Sequence, residues 1–169
     1  MFNSIAMRAL DRGARRTYVM GASAWADAKP LTEQAMAVSN FSIFEHDDAA
    51  DWIGAFESDG LSSVKAALEL VAEADAGGYI EIADAAPAMA AAEIVAAARD
   101  DDASRLPKSL KAAFKEHRGD VEDEDLVSIA LKAVRRVLKN SELKDQWDES
   151  GDAEDWSEHV SELVERLKG

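Results

Sequence analysis

Cysteine is absent from the 169 residues. That removes thiol nucleophiles, disulfide frameworks, zinc fingers and cysteine-ligated clusters, so the fold rests on packing. No apolar run approaches the roughly 20 residues needed to span a bilayer, which predicts a soluble chain with no membrane partner. Bases are scarce: 19 Lys plus Arg stand against 34 Asp plus Glu, a net charge of −15. Nucleic-acid binding depends on neutralising phosphates, so this balance argues against a nucleic-acid partner and fits a basic protein. Catalytic signatures are missing too. His46, His117 and His159 are separated by 71 and 42 residues, and none belongs to an HExxH pattern. There is no GxSxG elbow, no phosphate-cradling GxxxxGK loop and no GxGxxG after a strand. The acid run from Asp120 to Asp125 lacks the glycine and terminal glutamate of an EF-hand loop. No cofactor is predicted, and the weight on an enzyme falls, although carboxylate chemistry needs no local motif.

What is present is alanine, 33 residues of it, which favours closely approaching helices over a sheet of β-branched residues. The chain is long enough for one well-buried core. Its pattern predicts a compact all-α, single-domain bundle of about six helices after residue 45, with an N-terminal helical arm. Asp47 or Asp48 can cap a first helix to about Phe56, with Trp52, Ile53 and Phe56 as its apolar face. Leu61 to Ala76 places Val64, Leu68 and Val71 on one face and stops at Gly77-Gly78. After a short extended Tyr79 to Ile82, Asp84 can cap a helix that tolerates Pro87 in its first turn and runs to Arg99. From Ala85 to Ala98 its single charge is Glu93, which marks it as the central buried helix. A helix opening near Pro107 ends at Gly119, and the next begins in acids and finishes in Arg135, Arg136 and Lys139, as the helix dipole favours. A short Ser141 to Trp147 segment leads to a last helix capped by Asp152, with Trp156, Val160, Leu163 and Leu167 on one face.

Charge divides the chain at about residue 35. Residues 1–35 hold five bases and three acids, a local +2, leaving 14 bases against 31 acids, or −17, for the acidic domain 36–169. Three readings of the basic extension are open: an ordered helix carrying Arg8, Arg12, Arg15 and Arg16, a cleaved export leader ending near Ala26, or an Arg-rich presequence. The first predicts a cytoplasmic protein and the second an exported one.

The run Phe44-Glu45-His46-Asp47-Asp48-Ala49-Ala50-Asp51-Trp52 resembles the opening motif of a family of small, mostly bacterial proteins, domain of unknown function 4259. Tyr79-Ile80-Glu81, Ala90-Ala91-Ala92-Glu93, and Ser141-Glu142-Leu143 through Trp147-Asp148-Glu149-Ser150 to Trp156 resemble its later landmarks in the same order, over about residues 36–168. The family's opening glycines and tryptophan are replaced here by Met36-Ala37-Val38-Ser39-Asn40-Phe41-Ser42-Ile43-Phe44. Met36 aligns with the usual start, which makes residues 1–35 an appendage. The resemblance implies no activity.

Three constellations carry chemistry. Asp47 and Asp51 share a helical face, so with His46 they form a candidate divalent-cation site, though helix capping explains these acids more simply. Glu93, a lone carboxylate in an apolar helix, is either a shifted acid or base, with Glu81 nearby, or an anchor paired with Arg, Lys or a backbone donor; the anchor is the commoner arrangement. Trp52, Trp147 and Trp156 sit beside acids and can stack on a sugar or base, but such spacing is more often core, with the indole N–H on a carbonyl. The favoured function is a non-enzymatic, acidic interaction protein, immunity- or antagonist-like, whose carboxylates at 119–125 and 142–162 hold a basic partner. Simple solvation accounts for the same charges. The alternative is a carboxylate- or metal-dependent enzyme centred on Asp47, Asp51, Glu81 and Glu93.

Overall fold

Helices with one apolar face each assemble around the most deeply buried of them, which is rich in alanine. The computed structural model describes residues 43–169. The N-terminal arm, its leader alternatives and the Met36 to Ser42 run lie outside the described residues. A 3-10 turn, Ile43–Glu45, leads into α1 (Asp47–Asp59), α2 (Leu61–Ala72), α3 (Ile82–Asp100), α4 (Leu110–Val121), α5 (Glu124–Lys139), α6 (Glu142–Ser150) and α7 (Ala153–Lys168). The described residues are therefore all-α, with seven helices and no strand; Ile80 and Ser141 make one isolated parallel bridge. The additional helix is α6, where the short Ser141 to Trp147 segment coils on to Ser150.

All six other helices pack against α3. Its residues from Ala88 to Ala98 are buried without a break, Glu93 included. Alanine side chains are short enough to let neighbouring backbones approach on several sides. The apolar faces of α5 (Leu126, Val127, Ala130, Val134, Val137) and α7 (Trp156, Val160, Leu163, Leu167) cover it, with Phe56, Leu68, Leu110 and Leu143 completing the core.

Several helix ends depart from the local signals. The central helix starts at Ile82, two residues before Asp84, and so Pro87 falls in its interior rather than its first turn. The missing Pro87 N–H forgoes a bond to the Ala83 carbonyl. Contacts from across the fold explain the early start. Glu142 Oε2 accepts the Ile82 N–H at 3.0 Å, while Ile80 N–H bonds Asn140 O at 3.1 Å and Glu142 N–H bonds Ile80 O at 2.9 Å. The α2–α3 connector is thereby tied to the α5–α6 corner. At that corner Ser141 is fully buried; its Oγ donates to Val137 O at 2.8 Å and accepts the Lys144 N–H at 3.1 Å as the cap of α6. The second helix stops at Ala72, short of Ala76, and α4 begins at Leu110 and passes through Gly119 to Val121. Asp152 occupies the capping position of α7 without a side-chain bond.

Gly60 turns the chain between α1 and α2. Its φ is +53°, and a Cβ there would lie 2.6 Å from Nδ1 of His117. The His117 ring in turn meets Phe56 edge-on at 5.7 Å. We therefore expect Gly60→Ala to destabilise the fold by about 1–2 kcal/mol through the left-handed backbone alone, with a further cost from the clash. Urea unfolding of Gly60→Ala, His117→Ala and the double variant checks this: the double should recover the clash and keep the backbone cost.

Candidate functional site

Glu93 lies in the middle of α3 with only 2% of its surface exposed, and burying a carboxylate without partners is costly. Its partners come from the inner side of α7. Arg166 Nη1 is 2.7 Å from Oε2, and His159 Nε2 is 3.0 Å from Oε1. Arg166 also reaches along α3, its Nε 2.7 Å from Asp100 Oδ2. The match is geometric. Glu93 and Asp100 are two turns apart on one helix, and His159 and Arg166 are two turns apart on the other, so like faces meet in register.

Burial alone would raise the Glu93 carboxyl, but the His159 hydrogen bond and the Arg166 charge outweigh it and hold the group below its ordinary value. Burial likewise disfavours the charged Arg166 guanidinium, yet its bonds to Asp100 and Glu93 keep it above the usual arginine value. Beside this cluster, Arg105 bonds Glu162 at 2.6 Å, and Asp102 accepts the Ser104 N–H at 2.8 Å and its hydroxyl at 2.9 Å. Both oxygens of Glu93 are engaged, so the arrangement is an electrostatic clasp between α3 and α7. A base free to take a substrate proton would need an unengaged oxygen.

The other residues singled out by sequence are dispersed. Glu81 stands at the N-terminus of α3, about 18 Å along the helix from Glu93, so the two form no joint acid–base site. His46 caps α1: its Nδ1 accepts the Asp48 N–H at 3.3 Å. The cap is therefore His46 rather than Asp47 or Asp48, which fall in the first turn and favour the helix dipole. Asp47 and Asp51 are exposed on α1. Among the described residues no group of three or more His, Asp or Glu is placed to hold a metal ion. Trp52 stacks on Phe56 with ring centroids 5.9 Å apart, and Trp52 and Trp147 are half-buried against the core. Trp156 is buried within it, but its indole N–H has no hydrogen-bond partner among the described residues, contrary to the carbonyl expected. The clasp residues His159, Arg166 and Asp100 were not picked out by motif. The available signal was their seven-residue spacing, equal to that of Glu93 and Asp100, beside the apolar positions Val160, Leu163 and Leu167.

These features define an all-α bundle whose central alanine-rich helix is clasped through a buried carboxylate. The chain matches the family described as Domain of unknown function (DUF4259) over residues 38–159, and it belongs to that family. Glu93 and His159 lie inside the matched segment, and Arg166 lies beyond it. No curated protein and no solved structure matches the chain. No helix among the described residues is long and apolar enough to cross a membrane.

Glu93→Gln should lower stability by about 3 kcal/mol or more, because it leaves buried cationic groups short of an anion. Arg166→Met should do the same from the other side. The sign of the pH effect follows from the lowered Glu93 group. The unfolded chain takes up the proton first, so the clasp contributes fully above the ordinary carboxyl range and is lost as pH falls through the folded value. Stability measured from pH 6 to 3 should therefore fall less steeply for Glu93→Gln than for the parent. An equal slope would show that Glu93 is not the group being titrated.

Proposed function

We propose that this protein is a non-enzymatic, acidic interaction protein, of the immunity or antagonist kind, which holds a basic partner protein through a carboxylate ridge on α6 and α7. The observation behind this reading is the state of those carboxylates. All ten between Glu142 and Glu165 are exposed, against only three bases, Lys144, Arg166 and Lys168, in the same two helices. Glu149, Asp152, Glu154, Asp155 and Glu158 form no ion pair with any described residue. Acids so placed leave their field directed at solvent, where it steers a cationic surface and rejects an anionic one. The ridge stands on a rigid base, since Leu143, Trp156, Val160 and Leu163 anchor the two helices in the core. The carboxylate-enzyme alternative has no comparable support, its four acids being spread over α1 and the length of α3.

Neutralising the ridge tests the reading. The parent protein, immobilised in native lysate at low salt, should enrich a protein of high isoelectric point and release it as salt rises. The variant Glu154→Gln, Asp155→Asn, Glu158→Gln should retain the parent's helical circular dichroism and lose most of that capture. An unchanged set of bound proteins in the variant would sink the proposal.

A further inference from the structure

The solvent side of α5 carries the opposite sign. Ser128, Leu131, Lys132, Arg135, Arg136 and Lys139 recur at three- and four-residue spacing and line an open groove of about 370 Å³. None of the six is acidic, in a domain with 31 acids and 14 bases. Seven of those bases form ion pairs, and four of the seven that form none with any described residue are gathered in this groove. The helix dipole accounts for Arg136 and Lys139 in the last turn, but its influence fades before Lys132. Arg136 is half-buried and its guanidinium is held by the Asp75 carbonyl, which fixes one cation of the four in place.

We infer that this groove binds a small anion carrying two or more adjacent phosphate groups. Arginine forks match phosphate oxygens two at a time, and the lysines add point charges on either side. From Lys132 to Lys139 is about 10 Å along the helix, a span that flexible side chains close around a diphosphate or triphosphate more fully than around a single phosphate. Leu131 and the aliphatic stems offer an apolar floor for the rest of the ligand. The molecule's own charge selects for small size. Repulsion grows with the product of the charges, so a nucleic acid or an acidic protein is opposed far more than a compact anion. Screening over about 8 Å leaves the nearby cations in control of such an anion.

Isothermal titration with pyrophosphate at physiological salt is the test. Saturable one-to-one binding is expected, tighter than for orthophosphate. Arg135→Gln with Lys139→Gln should weaken it by about tenfold or more, and the exposed positions of both residues should leave the melting temperature near that of the parent. The charge-matched control Lys111→Gln with Lys115→Gln, on α4, should bind as the parent does. No saturable heat, equal loss in both variants, orthophosphate bound as tightly as pyrophosphate, or tighter binding of a single-stranded oligonucleotide would each overturn the inference.

Discussion

Nine of the thirteen buried residues of α3 are alanine, and a helix so clad has little side chain with which to hold its neighbours. Each methyl group removes only a small apolar area from water, so the stability of this core depends on backbones coming close and on many weak contacts acting together. Six helices must cover α3 at once for that to succeed. Surfaces this uniform also specify alignment poorly, because one alanine replaces another under a small slide or rotation. Glu93 removes the degeneracy. Any shift of α7 that parts it from Arg166 and His159 leaves an uncompensated charge in the core, at a cost of about 3–5 kcal/mol.

The same logic sorts the charges of the described residues. Those that enter the interior are paired: Glu93 with Arg166 and His159, and Arg166 again with Asp100. Outside, six bases sit in ion pairs with surface carboxylates, but two regions are dominated by one sign. Carboxylates crowd the exposed side of α6 and α7, while four bases with no ion pair to any described residue collect in the groove of α5. A surface designed for solubility alone intersperses the two signs, and here the separation gives each region a field of its own.

Backbone groups are completed across long sequence distances. The start of α3 borrows the carboxylate of Glu142, its connector borrows the main chain of Asn140 and Glu142, and Asn140 also reaches the carbonyls of Gly77 and Gly78. One corner therefore terminates α5, starts α6 and sets where α3 begins. This is the physical reason that the local signals Asp84 and Pro87 misplace the helix start, and that the short Ser141 to Trp147 segment is helical.

Sequence alone determined the all-α class, the central place of the helix around Glu93, and the apolar faces of α5 and α7, because these depend on composition and a 3.6-residue period that each segment carries within itself. It also favoured an anchor over a shifted acid or base at Glu93, since a lone charge in an apolar helix demands a partner. Tertiary structure decided which residues answer that demand. His159 and Arg166 are 66 and 73 positions away, and only the packing of α7 on α3 brings their two-turn spacing into register with Glu93 and Asp100. It likewise separated Glu81 from Glu93 along a rigid rod and made His46 a cap. The bases of α5 became a groove by the same route, because a helix shows its charge as a surface only after its other face has been buried.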